Sequence, residues 1–223
     1  MNSTTNIDLI WIGGHNCRVV GLPFVDRVHT WFDFDGVISD TDASKVAACR
    51  ELTGRDISAC LLDSTRLGEA GLTKAEYEQI QDMVYKNPDG PVLVPMLGAI
   101  EAIKLLIDEG KMPGILTARY GEPEVMKIIR FMEETGTELP IIGVGYEASK
   151  NGAKASVLEA VRAFNYFDDD VKMVNAILGM GKPSHDLYLF DPSGTQDVPE
   201  GAKSVHNWTE ILEAILPQHE EER

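Results

Sequence analysis

The chain reads as an α/β protein, a three-layer sandwich with a mostly parallel sheet, a small helical insertion and an N-terminal β-hairpin. Three observations predict this. From residue 91 onward, short apolar strands alternate with amphipathic helices, a pattern that covers both faces of a parallel sheet. Residues 41–90 show helical spacing alone and close on Asn87-Pro88-Asp89-Gly90-Pro91, a turn signal that returns the chain to its main body. Residues 7–12 and 17–21 are apolar and β-branched around Gly13, Gly14, His15 and Asn16, which reads as a hairpin at one sheet edge.

The elements follow in order. After the hairpin, Trp31, Phe32 and Phe34 supply the aromatic bulk of a buried strand that Gly36 ends. Helical spacing then covers Ala43 to Leu52, Ile57 to Leu62 and Lys74 to Tyr85, with a polar break at Thr53 to Arg55. Residues 96–109 form an amphipathic helix stopped by Gly110. The alternation continues with strand Gly114 to Leu116, helix Glu122 to Glu134, strand Pro140 to Val144 and helix Lys154 to Phe164. Strand Phe164 to Phe167, a short helix Val171 to Leu178, strands Leu187 to Phe190 and Ser204 to His206, and a helix from Trp208 complete it. The tail His219 to Arg223 has the composition of a disordered end.

The 223 residues can bury a full core, and a formal charge of -16 opposes binding to duplex nucleic acid or an anionic membrane. A small substrate is compatible with that charge, because a bound cation reverses the local field. No secretory leader pattern opens the sequence and no stretch approaches the ~20 apolar residues of a membrane span, so a cytoplasmic protein is expected. Cys17, Cys49 and Cys60 lack metal-ligand spacing and read as reduced thiols, and the histidines show no zinc pattern.

The chemistry concentrates at strand ends. Asp33 and Asp35 stand two apart at the end of an apolar run, which on a strand puts both carboxylates on one face. Two ionised groups that close repel unless a cation or a shared proton intervenes, and a divalent metal is the economical answer. On residues 31–40 alone, a strand ending in an ordinary Asx turn is an equal alternative. Later strand ends add Thr117 with Ala118 and Arg119, then Lys150 or Lys154, then Asp168, Asp169 and Asp170. In a parallel sheet all of these lie along the edge where ligands bind. A nucleophilic carboxylate, a hydroxyl, an ammonium and a second acidic cluster are what phosphoryl transfer through an aspartyl-phosphate needs.

With DFDGV at 33–37, ILTAR at 115–119, a lysine opening the next helix and FDDD at 167–170, the chain resembles the haloacid dehalogenase superfamily. The resemblance implies a Rossmann-like core of residues 1–40 and 91–223 and a helical cap at 41–90. It implies Asp33 as nucleophile and metal ligand, and Asp35 as general acid and base whose backbone carbonyl also binds Mg²⁺. Thr117 and the following amide would hold the phosphoryl oxygens, and Asp169, helped by Asp168, would complete the metal site. Gly36, Ala118, Arg119 and Lys150 are candidate substrate contacts, with Lys45, Arg50, Arg55 and Arg66 as further candidates on the cap. A carbon–halogen substrate needs no acid to protonate its leaving group, and family members similar to dehalogenases lack the second Asp. Asp35 therefore favours Mg²⁺-dependent hydrolysis of a small phosphomonoester of the nucleotide or sugar phosphate class.

Some alternatives stay open. Lys150 and Lys154 compete for one role, and the length of the following helix favours Lys154. Arg119 serves either substrate phosphate or a salt bridge, and Thr117 either phosphate or a turn. The family often has Asn or Asp four positions after the metal-binding Asp, where this chain has Met173, so a weakened or noncatalytic binding module is an alternative. A phosphomutase would share the chemistry. A phosphorylatable receiver domain is disfavoured by motif order and by length. The hairpin offers an edge for a homodimer.

Overall fold

Alternation of apolar side chains along three central strands fixes the layers. The computed structural model describes residues 6–62, 64–91 and 93–216; the tail that reads as disordered lies outside them. Strand β1 (Ile7–Ile12) turns through Gly13 and Gly14 into β2 (His15–Val20), and both glycines have positive φ, as a tight two-residue hairpin favours. His15 and Asn16 therefore belong to a strand rather than to the turn. Next come β3 (Thr30–Phe32), α1 (Thr41–Thr53), α2 (Leu67–Ala70), α3 (Lys74–Tyr85) and α4 (Ala99–Asp108). Strand β4 (Pro113–Thr117), α5 (Glu122–Thr135), β5 (Ile141–Gly143), α6 (Tyr146–Lys150) and α7 (Ala153–Ala160) follow. The last elements are β6 (Asn165–Asp168), α8 (Val171–Gly179), β7 (Asp186–Phe190), β8 (Lys203–Val205) and α9 (Trp208–Ile215).

One eight-stranded sheet runs β1-β2-β5-β4-β3-β6-β7-β8. The hairpin joins it antiparallel, through β2 against β5, and every later pairing is parallel. Period-two alternation sends Phe32, Ile115 and Phe167 to one face, and Trp31, Leu116 and Tyr166 to the other. On the first face α4, α5 and α9 pack, together with Ala48, Ile80 and Val84 of the inserted helices. Helices α7 and α8 cover the second with Val157, Leu158, Val174 and Ile177. An aromatic column, Trp208–Phe32–Phe167–Tyr188, has ring centroids 5.0, 5.1 and 4.4 Å apart. Its Trp208 indole donates to the Val37 carbonyl at 3.1 Å, so the column also holds the loop after β3.

The segment between β3 and α4 leaves and rejoins the sheet at one place. The Asp40 N–H donates to the Val94 carbonyl and the Met96 N–H to the Ile38 carbonyl, each at 2.8 Å. Lys127 of α5 donates to the carbonyls of Asn87 and Pro91, which ties down the return turn. Two helical expectations shrink here. Residues 57–62 form only a 3₁₀ turn at Ala59–Leu61, because the buried pair Ile57 and Leu62 stands five apart rather than at the three or four of a helix face. Helix α4 starts at Ala99 rather than 96, behind Gly98 at φ +81°.

Candidate active site

The site lies at the carboxyl ends of β3, β4 and β6. Strand β3 stops at Phe32, and the Asp33 N–H continues the ladder by one bond, 2.8 Å to the Phe167 carbonyl. Asp35 is beyond the strand, so strand alternation does not govern the pair as the sequence alone implied. Their side chains take different partners. Gly36 then turns with φ +80°, and a Cβ there would collide with the Asp169 carboxylate, so glycine admits that carboxylate against the backbone.

Around Asp33 a buried polar knot forms. Lys154 is 2% exposed, and its Nζ lies 2.8 Å from Asp33 Oδ1 and 2.8 Å from Asp168 Oδ2. The Tyr166 hydroxyl donates to the same Asp168 oxygen at 2.6 Å, and the Asp170 N–H donates to Asp168 Oδ1 at 3.0 Å. Carboxylate oxygens of Asp33, Asp168 and Asp169 all lie within 4.8 Å of one another. Burial, then the charges of Asp168 and Asp35 working against that of Lys154, pushes the Asp33 carboxyl up to about 7. Burial and the same acidic neighbours raise Asp169 well above the usual carboxylate range. Lys154 moves up because Asp168 and Asp33 overcome its burial, so it keeps its charge. Once ionised, three carboxylates against one ammonium would carry excess negative charge on hard oxygen donors, a set that fits a divalent cation such as Mg²⁺.

Asp35 sits in a second, balanced knot. Arg119 grips it through both forks, Nε to Oδ2 at 2.9 Å and Nη2 to Oδ1 at 2.7 Å, while the Thr41 hydroxyl donates to Oδ1 at 3.1 Å. Burial alone would raise Asp35, but Arg119 outweighs it and holds the carboxyl below its ordinary value. The guanidinium is itself 4% exposed, with its Cζ 4.8 Å from the Tyr85 ring centroid and 5.2 Å from that of Phe34. Its Nη1 faces the carbonyls of Val84 and Tyr85 at 3.5 Å, at the C-terminal end of α3 where a cation is favoured. Arg119 thereby joins three regions: the loops after β3 and β4, and the inserted helices.

A cleft of about 920 Å³ opens over both knots. Asp33, Asp35, Gly36, Ala118, Arg119, Lys154, Asp168 and Asp169 all line it. Two candidates from the sheet's strand ends and following loops do not. Thr117 is fully buried at the end of β4 and its hydroxyl accepts the Arg119 N–H at 3.1 Å, which is the role of a turn cap. Lys150 lies on α6 with its Nζ 3.4 Å from Glu147 and 4.0 Å from the ring centroid of Tyr146, and is not itself among the residues lining the cleft. Of the basic residues on the inserted segment, Lys45 reaches the cleft, while Arg50 pairs with Asp56, Arg55 with Glu76 and Arg66 with Glu69. Met173 also lines the cleft, and Lys154 is anchored by Asp33 and Asp168 without a polar group there.

Several site residues were not among the candidates. Tyr166 stands two before Asp168 on one strand, a spacing that puts both on one face and was a usable signal. Thr41, Tyr85 and the loop of Asp191, Ser193 and Gln196 carry no comparable local pattern. In that loop Asp191 accepts from the backbone of Ser193 and Gln196, and the Gln196 side chain donates to the Asp169 carbonyl at 3.3 Å.

Known structures share this architecture. A dehalogenase aligns with a TM-score of 0.60 at 12% identity, over 85% of this chain and 96% of the dehalogenase. A protein provisionally named phosphoglycolate phosphatase, from Lactobacillus delbrueckii subsp. bulgaricus, aligns at 0.54 with 15% identity, over 86% of this chain and 99% of its own. A protein likewise provisionally named β-phosphoglucomutase, from Thermotoga maritima, aligns at 0.52 with 15% identity, over 84% and 98%. No protein-family model and no curated protein sequence matches the chain. The chain has the haloacid dehalogenase fold, and no helix among its described residues is long and apolar enough to cross a membrane.

Proposed function

We propose that this chain hydrolyses a small phosphomonoester through an aspartyl-phosphate on Asp33, with Mg²⁺ as cofactor. The observation that carries the reading is the pairing of an under-neutralised knot, Asp33–Lys154–Asp168 with Asp169, with a second carboxylate, Asp35, in the same cleft. A phosphoryl dianion needs cationic help to approach a carboxylate, and an alkoxide leaving group needs a proton. In the first half-reaction an Asp33 oxygen bonds to phosphorus, the ester P–O bond breaks, and Asp35 gives its proton to the departing oxygen. In the second, Asp35 takes a proton from water, the water oxygen bonds to phosphorus, and the Asp33–phosphorus bond breaks. Lys154 holds Asp33 in place and offsets its charge throughout. A cation held by Asp33, Asp168 and Asp169 supplies further charge neutralisation at the phosphoryl oxygens. Asp35 is gripped by Arg119 and held ionised in this structure, so before it can donate, the guanidinium must release it and it must take up a proton from solvent. Incoming phosphoryl oxygens are a competing partner for the same fork. The inserted segment 41–90 acts in this reading as a cap whose Lys45 and Tyr85 face the bound ester.

Hydrolysis of an aryl phosphate with and without Mg²⁺, beside Asp33→Asn protein and with calorimetric Mg²⁺ titration, tests the reading. Metal-dependent turnover, reduced roughly 10⁴-fold or more in the variant, is expected. Absence of turnover on aryl and alkyl phosphates together with absence of Mg²⁺ binding would leave a noncatalytic module instead.

A further inference from the structure

We infer that the leaving group accepted by this site is uncharged or cationic, and that substrates with a second anionic group are excluded. The inference rests on the phosphatase reading and concerns the part of the cleft that the phosphoryl group does not fill. Ten carboxylate residues line the cleft against four cationic ones. A bound divalent cation still leaves the balance negative. None of the four cations is spare. Lys154 lies between Asp33 and Asp168, and Arg119 is bound through both forks to Asp35. Lys45 lies 3.3 Å from Asp42 and Lys86 2.8 Å from Asp82, so the inserted helices present their basic residues already matched by acids of the same wall. A carboxylate or second phosphate on the substrate would meet net negative potential with no unpaired cation among the described lining residues.

Uncharged groups supply the remaining recognition. Gln81 lines the same wall, with its amide nitrogen buried behind the surface and without a hydrogen-bond partner among the described residues. Tyr85, Tyr120 and Tyr146 add aromatic surface. At about 920 Å³ the cleft lies toward the upper end of small-molecule sites, so a monophosphorylated sugar or a nucleoside monophosphate fits where a bisphosphate is repelled. A phosphomutase must retain a bisphosphate while it moves a phosphoryl group between two hydroxyls, and this wall opposes that.

The test is a size-matched set of two-carbon esters: phosphoethanolamine, 2-hydroxyethyl phosphate and 2-phosphoglycolate, with aryl phosphate as a reference. The expected kcat/KM for the first two exceeds that for phosphoglycolate by roughly tenfold or more at low salt, and the gap narrows as ionic strength rises. Asp42→Lys/Asp82→Lys protein should close most of the gap by favouring phosphoglycolate. Turnover of aryl phosphate with no discrimination among the three, or with phosphoglycolate preferred, would overturn the charge inference alone. Loss of turnover on all four esters would overturn the hydrolase reading and this inference with it.

Discussion

Asp33 and Asp35 are two residues apart and face one cleft, but their surroundings are built on opposite principles. Asp33 shares one ammonium with Asp168 while Asp169 adds a third carboxylate, and burial pushes its carboxyl up to about 7. Asp35 has a guanidinium to itself, gripped in fork geometry with a hydroxyl in support, and its carboxyl is held low. The first knot lacks positive charge and favours a cation or an electrophile. The second is complete, and in the proposed reaction its carboxylate must be released and protonated before it can deliver a proton. A single shared ammonium leaves Asp33 under-neutralised, whereas a bidentate fork holds Asp35 ionised in a fixed position.

Removing the ammonium should break this contrast most severely. Lys154→Met leaves three buried or half-buried carboxylates without their cation, and loss of one partner of a buried pair costs about 3–5 kcal/mol. The expected result is a large fall in melting temperature in chelator, recovered in part by Mg²⁺, together with loss of turnover. A variant that melts like the parent in chelator would mean that the cluster holds protons rather than charge.

Next in size is Asp35→Asn, which should slow alkyl phosphate hydrolysis by roughly 10²–10⁴-fold. Release of an aryl leaving group should suffer less, because a good leaving group needs little protonation, and a burst of phenol should precede slow turnover. Arg119→Lys sharpens the contrast further by keeping the charge while removing the fork. It should produce the same selective loss on alkyl esters at roughly 10-fold, since the acid is misplaced rather than absent. Equal losses on aryl and alkyl esters would make Arg119 a phosphate contact instead.

The two knots differ also in how far the sequence exposed them. Asp33 and the Asp168–Asp169 pair follow from strand periodicity, with helix length favouring Lys154 over Lys150, because a parallel sheet carries successive strand ends to one edge whatever the side chains between them. The sheet was legible for the same reason, its apolar alternation being a local property of Trp31 and Phe32, Ile115 and Leu116, Tyr166 and Phe167. Arg119 and Asp35 lie 84 positions apart and meet only through the angle of two loops, which no spacing encodes. Helix α6 was hidden by its flanks, since Gly145, Asn151 and Gly152 make Tyr146 to Lys150 read as loop. Helix α7 ends at Ala160 rather than Phe164 because the chain reverses through Arg162 at φ 55°, a conformation that a non-glycine sequence does not announce.

The smallest expected effect separates the knots by proton linkage. With the Asp33 carboxyl raised to about 7 and an ordinary unfolded value near 4, the folded metal-free chain keeps a proton that the unfolded chain has released across that interval. Stability from this group is therefore complete below about pH 4 and is lost as pH rises through about 7, by at most about 1.4 kcal/mol per unit. Cation binding needs the carboxylates, so it runs the other way: Mg²⁺ affinity should climb by about tenfold or more per pH unit below 7, because Asp169, raised as well, must also give up its proton. Asp35, held ionised by Arg119, should add no such slope. Calorimetric Mg²⁺ titrations between pH 5.5 and 8 read this directly, with heats compared in buffers of different ionisation enthalpy to count the proton released. Asp33→Asn protein should bind Mg²⁺ more weakly and with a flatter pH dependence, because one of the two raised carboxyls is gone and only Asp169 remains. Affinity that is independent of pH in the parent would mean that Lys154 already keeps Asp33 ionised, making the first knot as complete as the second.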